Sequence, residues 1–152
     1  MNIHKTGKYS NTNLKGVSDP IRIRAHHLLC MQGFQGYGYS KDFAVHMLKV
    51  VDYIMDNPSC ELDIIMECDE ICSHCPHKAK KICFKNPHAY ENIKKMDVTV
   101  LEKLGILEGS KIESQKILEH VNKIFKTRED ALEVCGDCLW LSKCLWFMEK
   151  PI

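Results

Sequence analysis

The chain has 152 residues, enough for one domain that buries its own hydrophobic core without covalent support. Its 45% hydrophobic and 27% charged residues are typical of a globular protein and exclude the disordered and fibrous classes. The 21 basic and 20 acidic side chains nearly cancel, so the charge favours neither a nucleic acid nor an anionic membrane as a partner.

The N-terminal segment is polar and contains no apolar stretch of the kind found in secretory signals. We therefore expect a flexible arm over residues 1–18 and a single domain over residues 19–152. The longest purely apolar runs, such as Leu145–Met148, are far shorter than the roughly 18 residues that a membrane-spanning helix needs. These features predict a cytoplasmic protein with no membrane partner.

The first predicted element is a short strand at Ile21–Arg24, where apolar and basic residues alternate. The pair His26 and His27 follows, and then residues 33–39 contain three glycines, which predict a sharply bent loop. The histidine pair and the two arginines of the strand therefore lie close to this loop in the sequence.

The clearest predicted helix covers Lys41–Asp56, where apolar residues recur at helical spacing. Ser40 is the expected N-cap, and Asn57, followed by Pro58, is the expected end. Residues 62–67 then form a second predicted strand that can pair with the first.

The C-terminal half is predicted to alternate short helices with cysteine-rich loops. Asp97 is the expected N-cap of a helix that ends at Gly105, and residues 117–125 form another apolar stripe. A capping box at residues 127–130 predicts the start of the next helix, and a final helix is expected over residues 138–149. The predicted fold is a single small α+β domain, predominantly helical, with a short two-stranded β element and cysteine-rich loops.

Nine cysteines in a chain without a predicted export signal are the most unusual feature of the composition. Disulfides do not persist in a reducing compartment, and cysteines needed only for packing have no reason to occur in closely spaced pairs. The clustered cysteines therefore predict metal or redox chemistry. Cys60, and with it Cys68, keeps the simpler interpretation of a small buried hydrophobic residue.

Six clustered cysteines are the candidate metal ligands at this point. Two cysteines three positions apart can bring both sulfurs to one metal centre across a tight turn, and a third from the next helical turn can join them. The terminal Cys-Gly-Asp-Cys motif has this spacing, and a middle segment repeats it. Acidic residues beside these cysteines, Asp69 and Asp137, are expected to cap turns. The candidates are Cys72, Cys75, Cys83, Cys135, Cys138 and Cys144.

Three metal arrangements are compatible with these spacings. The middle and terminal cysteines can converge on one four-iron cluster, or they can bind two clusters, which would need eight ligands. In the third arrangement, two Cys-x2-Cys pairs form a four-thiolate zinc site. Zinc sites more often separate such pairs by about 15 to 20 residues, and the clustered thiols exceed what one zinc ion uses. We therefore favour a 4Fe-4S cluster, with zinc as the alternative.

The histidine pair and the arginines of the first strand are a second group of candidates. His26 or His27 can bind a metal or transfer a proton near neutral pH, although one of them can equally be packed in the core. Arg22 and Arg24 can bind an anionic ligand through their planar guanidinium groups, or they can form surface ion pairs. We take the histidines as candidate catalytic residues and the arginines as candidate cofactor-binding residues.

The quoted residues also resemble a known family. The segments RIRAHHLLC at residues 22–30, GYGYS at 36–40, DEIC at 69–72 and CGDCLW at 135–140 are similar to the prokaryotic family catalogued as domain of unknown function 1284. The resemblance extends from about residue 21 to residue 148 and implies no established activity. It does imply one shared site, composed of the two arginines, the histidine pair, Cys30, Cys72, Cys83 and the last three cysteines.

From the residues and the resemblance together we expect a small cytoplasmic iron-sulfur protein. It would serve electron transfer, or redox chemistry on a small-molecule ligand near the histidines, with a redox partner protein in the former case. A zinc-stabilised interaction module without catalysis, or a thiol enzyme with one reactive cysteine, are the alternatives. The expected cluster ligands are a subset of Cys30, Cys72, Cys75, Cys83, Cys135, Cys138 and Cys144.

Overall fold

The structure, a computed structural model, describes residues 20–79, 82–83 and 88–152. The predicted arm over residues 1–18 lies outside the described residues. The described helices and strands are, in chain order, β1 (Ile21–Arg24), α1 (His27–Gly33), α2 (Lys41–Asp56), β2 (Glu61–Ile65), β3 (Lys78–Ala79), β4 (Ile82–Cys83), α3 (Ala89–Leu104), β5 (Lys111–Glu113), α4 (Ser114–Ile124), α5 (Arg128–Cys135) and α6 (Leu145–Met148). The predicted class, a single small α+β domain that is predominantly helical, is confirmed.

A three-stranded sheet with β2 at its centre forms the β part of the core. β1 pairs with β2 in parallel, with Ile23 opposite Ile64, and both side chains are completely buried. β5 pairs with the other edge of β2 in antiparallel orientation. The two predicted strands therefore do pair. The third strand was not predicted, because only Ile112 is apolar among its three residues and no alternation can be recognised over that length.

Helix α2 packs its apolar face onto this core and begins and ends where the sequence predicts. The Ser40 side chain accepts a hydrogen bond from the Phe43 N–H at 3.1 Å, which satisfies one of the free donors at the helix start. Asn57 is the C-cap residue, and its N–H donates to the Ile54 carbonyl at 3.3 Å. This helix was predictable because its amphipathic pattern and both ends are encoded locally.

Helix α3 differs from the prediction at its N-terminus. It begins at Ala89, with His88 at the N-cap position, so Asp97 lies in the middle of the helix and is not a cap. Asp97 is completely buried, and its carboxylate accepts hydrogen bonds from residues outside this helix. The predicted end is confirmed, since Gly105 is the C-cap residue at φ 68°, a left-handed conformation that glycine adopts without a steric penalty.

The predicted final helix over residues 138–149 is also wrong. The chain instead forms a 3-10 helix at Leu141–Lys143 and then the single turn α6. Cys144, between them, has extended backbone angles of φ −91° and ψ 107°, which interrupt any continuous helix. The preceding helix α5 does start with the predicted capping box, in which Thr127 and Asp130 exchange side-chain-to-backbone hydrogen bonds.

None of the helices in the described ranges has the length and apolar character that a membrane crossing requires.

Candidate functional site

One cavity of about 410 Å³ brings together residues from distant parts of the chain. Both histidines of the pair line it, next to the thiol of Cys30 on α1. The opposite walls come from the glycine-rich loop before α2, from one face of α3, and from the segment around Cys138 and Cys144. The cavity therefore joins the two groups of candidate residues, the terminal cysteines and the histidine pair.

Four cysteines interact electrostatically with one another beside this cavity. Burial raises the pKa of the Cys30 thiol well above its usual value, and the nearby sulfurs of Cys135, Cys138 and Cys144 raise that pKa further. Burial and the sulfurs of Cys138 and Cys144 likewise raise the pKa of Cys135 to about 12. Four of the seven predicted ligands therefore form one group, which we call the four-thiol group.

Local backbone geometry brings these sulfurs together. Cys135 ends α5, and the Cys138 N–H donates to the Cys135 carbonyl at 3.0 Å, so both cysteines lie on one tight turn. Cys144 reaches helix α1 because residue 33 has no side chain. A Cβ atom at Gly33 would overlap the Cys144 sulfur and would lie 3.0 Å from the Trp146 nitrogen. Glycine at this position allows the terminal segment to approach the helix that carries Cys30.

The donor set of the four-thiol group suits two kinds of metal centre. Tetrahedral zinc takes four thiolates in structural sites, and iron-sulfur clusters normally take four cysteines. Without a positive centre, the thiols of Cys30 and Cys135 remain protonated at neutral pH, because burial and the neighbouring sulfurs oppose their ionisation. A bound cationic centre removes that opposition.

Asp97 on α3 is the shared acceptor for Arg24 and His26. Arg24 donates to Oδ2 from Nε at 3.0 Å and from Nη2 at 2.7 Å. His26 donates to Oδ1 from its backbone N–H at 3.0 Å and from Nδ1 at 2.7 Å. Burial alone would raise the pKa of the Asp97 carboxyl, but the His26 hydrogen bond and the nearby Arg24 charge outweigh it, so the pKa lies below its usual value.

This environment fixes the protonation state of His26. Burial, together with repulsion from His27, lowers the pKa of His26 to about 4 against the stabilising effect of Asp97. The ring is therefore neutral at pH 7. Because Nδ1–H is donated to a carboxylate, Nε2 carries the lone pair that can accept a proton or bind a ligand.

Asp69, in the loop after β2, holds the second histidine in the same way. Its Oδ2 accepts from the Arg24 backbone N–H at 2.8 Å and from Nδ1 of His27 at 2.7 Å. Its Oδ1 accepts from the Cys72 N–H at 3.1 Å, which confirms the predicted turn cap. Burial would raise the pKa of Asp69, but the charge and the hydrogen bond of His27 dominate and bring the pKa to about 2.

Cys72 also interacts with Cys68, which is interpreted from the sequence as a small buried hydrophobic residue. Interaction with the Cys72 thiol lowers the pKa of Cys68 to about 6, and interaction with Cys68, together with burial, raises the pKa of Cys72. Cys72 thus lies with Cys68 and Asp69.

The remaining predicted site residues lie elsewhere or are only partly described. Cys75 follows the 3-10 helix Ile71–His74, and its N–H donates to the Cys72 carbonyl at 2.9 Å. Cys83 contributes its backbone to β4, and its side chain lies outside the described residues. Neither Arg22 nor Arg24 is among the described residues that line the cavity. Arg22 is half-exposed, 3.8 Å from Glu67, and the anion-binding role of both arginines stays a prediction.

The two aspartates are the site residues whose importance the sequence did not reveal. For Asp97 a signal existed, because it lies three, four and seven positions before the buried Val100, Leu101 and Leu104, on the apolar face of its helix. A carboxylate in phase with an apolar stripe must be paired inside the fold. Asp69 had no such signal, since an aspartate beside a cysteine is ordinary in a turn.

Comparisons with known proteins identify a family and no activity. A family model described as "Protein of unknown function (DUF1284)" matches residues 38–144, from the end of the glycine-rich loop to the last cysteine. The match is shorter than the resemblance over residues 21–148 and does not extend to the histidine pair or Cys30. No curated protein and no solved structure matches the chain.

Proposed function

We propose that the chain, which belongs to the DUF1284 family of proteins of unknown function, is an iron-sulfur protein that binds one cluster through Cys30, Cys135, Cys138 and Cys144. One observation carries the proposal: Cys30, Cys138 and Cys144 line a single cavity, and the thiol of Cys135 interacts electrostatically with all three. Four cysteines are the usual complement of a 4Fe-4S cluster. Cys30 lies far from the other three cysteines in the sequence, and cysteines that serve only for packing have no reason to gather beside a closely spaced pair.

The electrostatics of the four-thiol group support a bound cationic centre. Burial and the neighbouring sulfurs raise the pKa of Cys30 and of Cys135, so a compensating positive charge is needed before these two thiols ionise at neutral pH. The iron-sulfur core, when bound, would supply the positive charge that stabilises the thiolates and a one-electron redox couple. The terminal turn and Gly33 would hold the sulfurs in place for it.

The cavity gives this site room for a small ligand. Tyr37, Tyr39 and Trp140 contribute aromatic walls, and such an apolar lining restricts water and thereby influences the potential of a nearby cluster. His26, neutral and oriented by Asp97, can accept a proton at Nε2 when a ligand in the cavity changes its protonation state. We therefore propose electron transfer, or redox chemistry on a small molecule bound beside His26.

We place this activity in the reducing cytoplasm. Among the described cysteines, at positions 30, 60, 68, 72, 75, 135, 138 and 144, none forms a disulfide. Closely spaced free thiols persist where the compartment keeps them reduced.

The test is metal and sulfide analysis of protein purified under strictly anaerobic conditions. We expect a brown protein with broad visible absorption, about four iron and four acid-labile sulfide per chain, and an electron paramagnetic resonance signal on reduction. Cys135→Ser and Cys138→Ser should each lose most of the iron. Cys60→Ser, which changes a partly buried cysteine outside the four-thiol group, should keep it.

Zinc is the competing occupant, because a Cys-x2-Cys turn also suits a zinc ion. A colourless protein with stoichiometric zinc, lost in Cys135→Ser and retained in Cys60→Ser, would replace the iron-sulfur proposal by a zinc-stabilised module. Chelation would then unfold the domain, since metal-binding free energy would be folding free energy. Iron that is unaffected by Cys135→Ser and Cys138→Ser would refute the assignment of the ligands.

A further inference from the structure

We propose that the fold contains a second metal site, for one divalent cation of the zinc type, in which His27, Asp69 and Cys72 are the three protein ligands. The site goes beyond the iron-sulfur proposal and does not depend on it, because it uses no residue of the four-thiol group. It lies where the start of α1 meets the loop between β2 and the 3-10 helix Ile71–His74.

The three ligand atoms already lie close together. One potential ligand atom from each of His27, Asp69 and Cys72 lies within 4.8 Å of the other two. The ligand atoms of a tetrahedral zinc ion lie about 2.0–2.3 Å from the metal and therefore roughly 3.3–3.8 Å from one another. A closure of at most about 1.5 Å between any two of the three atoms would enclose an ion.

Hydrogen bonds hold the three residues together before any ion binds. Oδ1 of Asp69 accepts from the Cys72 N–H at 3.1 Å, and Oδ2 accepts from the Arg24 N–H at 2.8 Å. Nδ1 of His27 lies 2.7 Å from the same Oδ2. The Asp69 side chain is completely buried, and that of His27 is only 14% exposed. A preorganised group of this kind loses little conformational entropy when it binds a ligand.

Asp69 is assigned as a ligand because it is the member of the group that contacts both others. The ion would take the place of the proton between Nδ1 of His27 and the carboxylate. That proton would move to Nε2, which gives the other neutral tautomer of the ring and leaves the Nδ1 lone pair for the metal. The Cys72 thiol would release its proton to the solvent, as thiol ligands do.

The charges and the donor types of the group suit a divalent ion of the zinc type. The Asp69 carboxylate and the Cys72 thiolate would together neutralise its two positive charges, which a largely buried site requires. Imidazole, carboxylate and thiolate are the donors that zinc takes from proteins. Mg²⁺ and Ca²⁺ take oxygen ligands, so the sulfur and the nitrogen disfavour both.

Three protein ligands leave one coordination position for water or a substrate, as in catalytic zinc sites. The site adjoins the cavity through His27, which lines it, and the ring centroid of His27 lies 4.5 Å from that of His26. A ligand bound in the cavity would therefore lie beside the ring that holds the ion.

Cobalt titration of the full-length chain tests the proposal. The protein is reduced, freed of metal with a chelator under anaerobic conditions, and titrated with Co²⁺, whose absorption in the near ultraviolet reports thiolate ligands. We expect the wild-type chain to bind one Co²⁺ more than Cys72→Ala or His27→Gln. The matched control Cys60→Ala, which changes a partly buried cysteine outside both groups, should bind as many as the wild type.

Asp69→Asn tests the role of the carboxylate. Loss of a carboxylate that only orients a metal-binding histidine weakens metal binding by about 10- to 100-fold. Replacing a charged ligand by a neutral amide should weaken the affinity of this site for Co²⁺ by more than that. A smaller change would overturn the assignment of Asp69 as a ligand.

The double variant C135A/C138A separates this site from the four-thiol group. It should still bind Co²⁺ with thiolate absorption, and adding Cys72→Ala to it should remove one Co²⁺ together with that absorption. If Cys72→Ala fails to fold, as judged by circular dichroism, His27→Gln decides the outcome. Wild-type cobalt stoichiometry and absorption in a folded Cys72→Ala or His27→Gln would overturn the second site. Loss of metal in C135A/C138A alone would leave only the four-thiol site.

Discussion

Replacing the buried carboxylate of Asp97 by an amide should destabilise the fold severely. Asp97→Asn keeps the shape of the side chain but leaves Arg24 as a buried charge, with a side chain only 6% exposed. The wild-type carboxylate accepts four hydrogen bonds, two from the Arg24 guanidinium and two from His26. Removing one partner of a buried ion pair costs about 3–5 kcal/mol, because the other charge stays desolvated and unpaired.

That loss is a large fraction of the roughly 5–15 kcal/mol by which a domain of this size is usually stable. Urea unfolding at pH 7.5, followed by circular dichroism with the thiols kept reduced, measures it. Glu102→Gln is the matched control, since Glu102 lies exposed on the same helix and its change should shift the free energy of unfolding by less than about 0.5 kcal/mol.

The double variant with Arg24→Met decides whether the ion pair is the cause. If it is, Asp97→Asn combined with Arg24→Met should cost clearly less than the sum of the two single changes, because no unpaired charge remains. Strict additivity, or a loss below about 1 kcal/mol in Asp97→Asn alone, would refute the argument that this network is required for folding.

Three further predictions concern pH, packing and helix capping. The folded-state pKa of His26 is lowered from 6.5 to about 4, so the unfolded chain binds more protons than the folded chain between these pH values. The free energy of unfolding therefore decreases as the pH is lowered through that window. About 2 kcal/mol should be lost between pH 7 and 5 in urea titrations, and His26→Gln should flatten that slope; an equal slope in the variant would contradict the assignment. Gly33→Ala should lower the free energy of unfolding by about 1–3 kcal/mol through overpacking, and it should lower the iron content by displacing Cys144. The control Gly105→Ala should lower the free energy of unfolding by about 1 kcal/mol and keep its iron. A full iron content in Gly33→Ala would contradict the packing argument. Thr127→Ala should cost about 1 kcal/mol in thermal unfolding through the lost cap, and an unchanged midpoint would show that the capping box contributes nothing.

Features encoded locally could be predicted, and features that depend on distant contacts could not. The ends of α2 follow from Ser40 and Asn57, which act on neighbouring backbone groups. Asp97 was misassigned because an aspartate before an apolar run is typical both of an N-cap and of a buried acid. Only its partners, Arg24 and His26, which are far away in the sequence, distinguish the two cases.

The same limit applies to the cysteines. Spacing predicts that Cys135 and Cys138 share a turn, and the structure agrees. Spacing cannot assign Cys30, on another helix, to that turn rather than to the middle segment. The glycine that allows this approach, Gly33, belongs to a cluster of glycines that predicts a loop, and its packing role depends on a contact with Cys144.

The paired histidines illustrate how adjacent residues can serve different sites. On a helix, neighbouring side chains diverge by about 100 degrees, so two adjacent rings rarely reach one ion. Here the rings are tilted by 58° to each other, and different carboxylates hold them: Asp97 on α3 holds His26, and Asp69 after β2 holds His27. Each carboxylate also accepts a backbone N–H at the junction of β1 and α1, so the position of each ring is coupled to that junction. The two histidines therefore have different neighbours, since His26 is bound to Asp97 and His27 lies with Asp69 and Cys72.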